Sequence, residues 1–488
     1  MTEINFVDCT FRDAHQSLWG DKMTTAMMYK IAPVMNQIGF KAMDVSGTGH
    51  FTFALRYLRE NPWERLRLLS KSIPNTPLSI MMLGTNLNLF RFTRGPIFDV
   101  WMERLAAHGI KRVQIMEASN NMEDIAQTVR AAKNAGLQAA VALVFSHSPI
   151  HTDEYYAKRA RNAAQLEPDI IYLKDSGGLL TPERTKLLIP TIQENISNLP
   201  LEFHSHCTTG LAPLCYLEAM RLGVKTFHTA SSPLANGSSL PSTENILKNA
   251  RHMGFSPSVS EQFLGAISAH FKEVAEAEGF PTGIPLEYDY SQYEHQVPGG
   301  VISNLRRQLS ELGLGDKLEQ VLKETIRVRE ELGYPIMVTP FSQFVVTQAS
   351  LNVTQGERYK VITDQLILFA LGHYGKQPVP VDKNVMDKIY GLPRTKEFLN
   401  WSPPETSLQT LRQDFGDKYS DDELLLIALS SEEDLRATLA AGPCRTDYYG
   451  KHNSLVGFIK EVMSKRTKST YISIKRGDVS VTLSRSAT

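Results

Sequence analysis

The sequence predicts an α/β protein in which a (β/α)8 TIM barrel precedes a mostly helical domain and a short C-terminal β-hairpin tail. Two observations indicate the barrel. Eight short apolar runs alternate with longer amphipathic stretches over the first half of the chain, and the alternation repeats about every 35 residues, as in parallel βαβ units. A third observation sets its end, because strand signals give way to helical ones after about residue 285. An open doubly wound sheet has the same alternation and remains an alternative.

The predicted strands are rich in β-branched and apolar residues. In chain order they are Ile4–Asp8, Ala42–Val45, Leu78–Leu83, Arg112–Met116, Gln138–Val144, Asp169–Leu173, Leu201–His204 and Lys225–Thr229. Helical periodicity lies between them, as at Glu123–Ala135, Asp153–Gln165, Pro182–Glu194 and Ala212–Leu222. We therefore expect a barrel domain over residues 1–285.

The second half is predicted to be helical. The expected helices are Val301–Leu314, Asp316–Leu332, Ser342–Val353 and Ile362–His373, with more helix over Asp421–Ala441. Pro378–Thr406 is rich in proline and polar residues and predicts a linker or wrapping loop. Residues 286–450 are thus expected to form a second, helical domain.

The last residues have a pattern of their own. Ser454–Ser464 predicts an amphipathic helix, and two alternating runs on either side of Arg476-Gly477-Asp478 predict a hairpin. Because an isolated hairpin is only marginally stable, we expect residues 451–488 to form a tail that docks on this chain or on a partner.

Composition excludes several classes of protein. The 488 residues hold 52 basic and 52 acidic side chains, so no excess charge predicts bulk nucleic-acid binding. No apolar run is long enough to span a membrane, and the N-terminus lacks the features of a signal peptide. Four scattered cysteines predict no disulfide framework, which is typical of a cytoplasmic protein.

Potential metal ligands follow three of the predicted strands. Asp13 comes after the first, Lys174 ends the sixth, and His204-x-His206 ends the seventh. Because barrel active sites lie at the C-terminal ends of the strands, these side chains are expected to converge. Alternate residues of a strand face one side, so both imidazoles can bind one ion. Each signal alone also fits ordinary histidines, a capped turn or a salt bridge, but together they favour a metal site.

Lys174 poses a separate question, because an ammonium group cannot ligate a cation. At the end of a buried strand it must be neutral, ion-paired or chemically modified. A carbamylated lysine would present a carboxylate-like oxygen to a metal ion.

Several motifs together resemble the carboxyltransferase domains of biotin-dependent enzymes. This family includes pyruvate carboxylase, the oxaloacetate decarboxylase alpha subunit and the pyruvate-specific subunit of transcarboxylase. The similar segments cover about residues 4–450 and include Thr10–Ser17, Asn61–Leu66, Ser148–Thr152, Leu173–Asp175, His204–Gly210, Gln296–Gly300, Val338–Pro340 and Thr347–Ala349.

The resemblance implies a barrel, a helical funnel and usually a homodimer. It implies a divalent ion (Zn, Mn or Co) bound by Asp13, a carbamylated Lys174, His204 and His206, with Lys174 as the cofactor-binding lysine. The ion would polarise the keto group of a 2-oxo acid, and a carboxyl group would pass between the enolate carbon and N1 of biotin. By the same resemblance, Thr339 carries the proton, Gln16 orients the substrate and Arg12 precedes the ligand aspartate.

The sequence departs from the family at positions that bind substrate or biotin. Leu83 stands where the family has an arginine that binds the substrate carboxylate, so either Arg91 or Arg12 substitutes or the substrate differs from pyruvate. Gln114 and Asn121 replace an Arg and a Tyr that help form the biotin pocket in some relatives. The metal ligands are therefore expected to be retained, while the substrate side is altered.

The family's biotinylated lysine lies within Met-Lys-Met, a motif that this sequence lacks. We therefore expect a biotin carrier protein and a biotin carboxylase on other chains. The leading hypothesis is the metal-dependent carboxyltransferase subunit of such a complex, acting on a 2-oxo acid or a related carbonyl compound. The alternatives are a biotin-independent decarboxylase or lyase acting on a β-keto acid, and a non-catalytic scaffold subunit.

Overall fold

A computed structural model describes residues 2–87, 93, 95–403, 405–450, 471–476 and 479–484. Eight parallel strands form a closed barrel in chain order. They are β1 (Glu3–Asp8), β2 (Ala42–Gly47), β3 (Leu78–Leu83), β4 (Ile110–Met116), β5 (Gln138–Val144), β6 (Ile170–Asp175), β7 (Leu201–Ser205) and β8 (Thr226–Thr229).

Closure of the sheet distinguishes the barrel from the open-sheet alternative. β1 pairs with β8 on one side and with β2 on the other, so the sheet has no free edge within the barrel. A short strand, β9 (Ser256–Pro257), adds to β1 outside the ring. The predicted barrel is confirmed, and every predicted strand end lies within two residues of the observed one.

Helices surround the barrel and connect its strands. They are α1 (His15–Trp19), α2 (Thr25–Met35), α3 (Thr48–Phe53), α4 (Pro62–Ser72), α5 (Ile97–Ala107), α6 (Ala126–Asn134), α7 (Asp153–Ala164), α8 (Pro182–Gln193), α9 (Ala212–Arg221), α10 (Thr243–His252) and α11 (Leu264–Glu278). Gly109 and Gly223 adopt φ of 92° and 89° just before β4 and β8, a conformation that glycine tolerates best.

The second half of the described chain is helical, as predicted. Its helices are α12 (Ser291–His295), α13 (Gly299–Glu311), α14 (Leu318–Glu331), α15 (Phe341–Thr354), α16 (Asp364–Ala370), α17 (Lys383–Tyr390), α18 (Pro393–Leu399), α19 (Leu408–Phe415), α20 (Asp421–Leu429) and α21 (Glu432–Ala441).

The linker predicted at Pro378–Thr406 is wrong, because α17 and α18 occupy most of it. Asp382 begins α17 by accepting backbone N–H groups of Asn384 and Val385. Pro393 occupies the first turn of α18, where its missing N–H group is not needed. Proline and polar residues here mark helix starts rather than a loop.

Two hydrophobic clusters organise the described residues. The larger joins the barrel strands and α2–α11 to residues of α19–α21, such as Leu411, Leu425 and Leu435. The smaller joins Leu83 and Met116, the last residues of β3 and β4, to α13–α17. Helices α13–α17 therefore pack over strand ends, while α19–α21 return to the barrel.

The chain is attached to the barrel again just before residue 450. The hydroxyl group of Tyr448 donates to Glu278 at the end of α11 over 3.2 Å, and the Lys30 ammonium lies 5.7 Å from the Tyr448 ring centroid. Further on, β10 (Tyr471–Arg476) and β11 (Val479–Ser484) form the predicted antiparallel hairpin. The predicted helix at Ser454–Ser464 lies outside the described residues.

Two negative predictions concern the described residues. None of the helices in these ranges is long and apolar enough to cross a membrane. Cys9, Cys207, Cys215 and Cys444 are all buried and free, as the prediction of no disulfide framework requires.

Candidate metal centre

Four buried side chains converge at the C-terminal end of the barrel. Asp13 lies in a π-helical turn, Thr10–Ala14, that follows β1. Lys174 is the penultimate residue of β6, His204 that of β7, and His206 follows β7 directly. The sequence predicts this convergence because parallel strands place their carboxyl ends together.

The separations of the ligand atoms fit one ion. His204 Nε2 lies 3.1 Å from His206 Nε2 and 3.5 Å from Asp13 Oδ2, while His206 Nε2 lies 3.2 Å from Asp13 Oδ1. Ligands at about 2.0–2.1 Å from a tetrahedral zinc ion are about 3.3 Å apart. The three side chains thus already have the spacing of a metal site.

Lys174 lies inside the same group. Its Nζ is 3.2 Å from Asp13 Oδ2 and 3.1 Å from His204 Nε2. Burial lowers the pKa of Lys174, and the nearby Asp13 carboxylate only partly opposes this shift. Asp175 is not a member of this ligand group, because its carboxylate accepts hydrogen bonds from the N–H groups of Leu179 and Leu180 in the following loop.

Arg12 lies between two carboxylates. Its guanidinium group lies 2.6 Å from Asp13 Oδ2 and 2.6 Å from Asp44 Oδ2. Burial would raise the pKa of Asp13, but Arg12 and then Lys174 hold it well below its ordinary value. Asp13 is therefore a carboxylate, the form that a cation requires.

Hydrogen bonds fix the ring orientation of both histidines. His206 Nδ1 donates to the Ser238 carbonyl over 2.7 Å, which leaves Nε2 as the ligand atom. On the opposite side of His204, its Nδ1 lies 3.2 Å from His228 Nδ1, and His228 Nε2 lies 2.9 Å from Glu202 Oε2. Arg112 pairs with both oxygens of Glu202.

We call Arg112, Glu202 and His228 the buried relay. Burial would raise the pKa of Glu202, but Arg112 and His228 hold it below its ordinary value, so the ionised carboxylate accepts a hydrogen bond from His228 Nε2–H. His228 Nδ1 then accepts from His204 Nδ1–H, and the His204 Nε2 lone pair points at Asp13 and Lys174. Burial lowers the pKa of His204, which keeps the ring neutral.

Sequence reasoning missed the buried relay. A usable signal was present, since Glu202 lies two residues before His204 and therefore on the same face of β7. An acidic residue within a buried strand requires a partner. Nothing in the sequence alone identifies Arg112 and His228 as those partners, because they are 90 and 26 residues away from Glu202.

The other predicted site residues lie on separate elements. Gln16 is half-buried in α1, three residues beyond Asp13. Thr339 is half-buried before a cis peptide bond to Pro340. Its neighbours Val338 and Phe341 share the smaller hydrophobic cluster with Leu83 and Met116, so Thr339 belongs to the layer that covers the strand ends.

The residues that depart from the family pattern lie at different depths in the barrel. Leu83 is buried at the end of β3. Gln114 is two residues further down β4 than Met116, and its amide donates to Ser79 Oγ over 3.1 Å inside the barrel. The Asn121 amide donates to Asp124. Arg91, one of the two arginines that could replace the missing family arginine, lies outside the described residues.

Comparisons with protein families agree with the fold. A model described as "Conserved carboxylase domain" matches residues 293–466, and one described as "HMGL-like" matches residues 106–267. Among solved structures, a carboxyl transferase domain of Rhizobium etli pyruvate carboxylase with pyruvate superposes with a TM-score of 0.84 at 22% identity. That match covers 100% of this chain and 85% of the other and shows the same fold.

Curated relatives identify the family. A pyruvate carboxylase subunit of Methanocaldococcus jannaschii is 37% identical over 90% of this chain and 79% of its own length. The 2-oxoglutarate carboxylase large subunit of Hydrogenobacter thermophilus is 32% identical over 88% and 67%. The methylmalonyl-CoA carboxyltransferase 5S subunit of Propionibacterium freudenreichii subsp. shermanii is 31% identical over 88% and 86%. The chain therefore belongs to the carboxyltransferase family of biotin-dependent carboxylases and is an enzyme of that family.

Proposed function

We propose that this enzyme moves a carboxyl group between N1 of biotin and the carbon next to the carbonyl group of a 2-oxo acid or related compound, using a divalent ion. One observation carries the proposal: the two imidazole Nε2 atoms of His204 and His206 and the Asp13 carboxylate oxygens nearest to them lie 3.1–3.5 Å apart at the C-terminal end of the barrel. The family to which the chain belongs supplies the reaction class.

The donor set suits Zn, Mn or Co. Two imidazoles and one carboxylate leave a place for a fourth ligand, and Lys174 Nζ lies beside it. A carbamylated Lys174 would supply an oxygen there, and its lowered pKa favours the neutral amine that reacts with carbon dioxide. A bound ion acts as a Lewis acid toward a carbonyl oxygen.

The remaining roles belong to residues of this chain. Arg12 holds Asp13 in place through its contact of 2.6 Å. Gln16, in the adjoining helix, orients the carbonyl substrate. The Thr339 hydroxyl group takes a proton from the substrate carbon and gives it to N1 of biotin as the carboxyl group moves the other way.

Leu83 is the main reason to expect an altered substrate. An apolar side chain replaces a bidentate cation, and removing one member of such a pair costs about 2–5 kcal/mol if the other charge stays buried and unpaired. Relatives are named for pyruvate, 2-oxoglutarate and methylmalonyl-CoA. Pyruvate, 2-oxoglutarate and longer 2-oxo acids should be assayed in parallel with wild type and Leu83→Arg. We expect pyruvate to gain most from Leu83→Arg.

Two substitutions test the reaction itself. His204→Ala should abolish metal binding at the Asp13 site and carboxyl transfer together. Thr339→Ala should abolish transfer while the metal content, measured by mass spectrometry, stays at the wild-type level. Normal turnover by Thr339→Ala would refute its role in proton transfer, and full metal occupancy in the Asp13 site of His204→Ala would refute the ligand assignment.

We propose that biotin arrives on a carrier protein and that a biotin carboxylase on another chain loads it, with the carboxyltransferase forming a homodimer in the cytoplasm. The barrel would comprise residues 1–285, the funnel 286–450 and a docking tail 451–488. Co-purification with and without residues 451–488 tests the tail. An unchanged complex would contradict its docking role.

Biotin-independent decarboxylation of a β-keto acid is the second candidate, motivated by Gln114 and Asn121. The Gln114 amide donates to Ser79 and the Asn121 amide donates to Asp124. These contacts replace the contacts with biotin that the family's arginine and tyrosine make in some relatives. Avidin separates the two functions. It should inhibit turnover of the complex if biotin is the carboxyl carrier and leave a biotin-independent reaction unaffected.

A further inference from the structure

A second group of potential ligands lies next to Arg12, whose carbonyl oxygen is 3.2 Å from His50 Nε2. His15 begins α1, Asp21 follows that helix, and His50 lies in α3. One ligand atom from each falls within 4.8 Å of the other two. These residues are separate from Asp13, Lys174, His204 and His206, and no role in the proposed reaction involves them.

His15 lacks the contacts that a buried histidine needs. Its side chain is completely buried, yet among the described residues neither of its ring nitrogens has a partner with hydrogen-bond geometry. Leaving such a group unsatisfied destabilises the folded state, and most buried polar atoms are paired. Since packing alone gives no reason for an imidazole here, the unsatisfied ring indicates a ligand.

The rest of the group completes a coordination set. His50 Nε2 lies 3.0 Å from Asp21 Oδ1 and 3.2 Å from the Arg12 carbonyl oxygen, and the His15 and His50 ring centroids are 4.9 Å apart. The Asp21 side chain is 18% exposed, which gives the group an opening to solvent.

The charge around the group is compatible with a cation. Two arginines face it, and carboxylates hold both of them. The Arg12 guanidinium group lies 2.6 Å from Asp13 and from Asp44, and that of Arg65 lies 2.6 Å from Glu60. These carboxylates offset the repulsion that the two guanidinium groups would exert on an ion.

We propose that His15, Asp21 and His50 form a second divalent-cation site. Two imidazoles and one carboxylate with an open position are a set that binds zinc or a similar transition-metal ion. An ion pair between His50 and Asp21 would explain two of the three residues but leaves His15 unsatisfied. An ion there links α1, which follows Asp13, to α3, which follows Asp44, and so holds both segments that flank Arg12.

Metal stoichiometry tests this site. The full chain is stripped with a chelator and reloaded with Zn²⁺ or Co²⁺, and bound metal is counted by mass spectrometry. We expect two ions for wild type, one for His50→Gln and one for His204→Ala. His270→Gln is the control, since His270 is another buried histidine but donates to the Met27 carbonyl. It should keep both ions.

The outcomes separate this site from the proposed function. Loss of all metal in His204→Ala together with a single ion in wild type would overturn the second site. A single ion that is lost in His50→Gln but kept in His204→Ala would support the second site and contradict the first. Co²⁺ absorption spectra of the two single-site variants should differ in band position, because only one site contains Lys174.

Discussion

The ring nitrogen of His204 that carries the proton is set by residues that do not contact the proposed metal ion. Glu202 holds a proton on His228 Nε2, and His228 in turn accepts the Nδ1 proton of His204. Such outer contacts orient a metal ligand and increase its basicity. His228 is therefore a positioning residue rather than a catalytic one.

Replacing His228 should weaken metal binding without unfolding the barrel. We expect His228→Leu to lower the affinity for Zn²⁺ about 10–100-fold, because His204 loses the acceptor that fixes its tautomer. Competition with a chromophoric chelator gives the dissociation constant. Tyr172→Phe is the matched control, since Tyr172 stacks on His228 at 5.5 Å but its hydroxyl group makes no hydrogen bond among the described residues. Equal affinities in all three proteins would refute the relay.

The pH dependence of the free energy of unfolding can be tested at a single residue, Glu117. Burial raises its pKa to about 7 from 4.5, although the N–H groups of Ser119 and Asn121 donate to its carboxylate. Between these two values the folded protein holds a proton that the unfolded chain has released. The free energy of unfolding contributed by Glu117 therefore falls as pH rises through this window.

Glu117→Gln should remove that dependence. The amide oxygen still accepts the two N–H groups, so we expect the variant to gain up to about 3 kcal/mol over wild type between about pH 4 and pH 8. Urea denaturation at both pH values measures the difference. Parallel pH profiles for the two proteins would show that Glu117 is charged throughout in the folded state.

At the scale of elements, Arg112 and Glu202 join β4 to β7 across the barrel interior. Removing one member of a fully buried ion pair leaves an uncompensated charge and costs about 3–5 kcal/mol. We expect Arg112→Met to lower the free energy of unfolding, measured by urea denaturation, by this amount. The double variant Arg112→Met/Glu202→Leu should recover most of the lost stability. A double variant as unstable as the single one would mean that the pair itself, not the unpaired charge, stabilises the barrel.

The elements also show what could be predicted from sequence. Strands β1–β8 carry a clear alternation of apolar runs and turns, and His204-x-His206 could be placed on one strand face, so the barrel and the convergence of ligands followed. Helices α17 and α18 were missed because their starts are proline and polar residues, which also occur in loops. The sequence did not identify His228 and His50 because their partners are distant along the chain, and pairing of neighbouring strands brings them together.

For the whole molecule, the proposed metal binding should be coupled to folding. The Asp13 and His204 ligands come from distant parts of the chain, and an ion that binds only the folded state stabilises it by about 2.7 kcal/mol at a hundredfold excess over its dissociation constant. We expect chelation to lower the melting temperature and re-addition of Zn²⁺, Mn²⁺ or Co²⁺ to restore it.

The matched variant for that experiment carries both His204→Ala and His50→Gln. Its melting temperature should not respond to chelator, because neither candidate site can then hold an ion. A response equal to that of wild type would place the stabilising ion elsewhere in the molecule.

The contact of Tyr448 with Glu278 has a consequence for encounters between subunits. It holds the chain at Tyr448, just before the proposed docking tail of residues 451–488, on the outer wall of the barrel beside α11. A partner held by those residues would be tethered to this wall, and its meeting with the strand ends would become an intramolecular event governed by effective concentration rather than by diffusion through solution. If the tail binds the biotin carrier as proposed, the position of this tether point would help to set the rate at which the carrier is delivered.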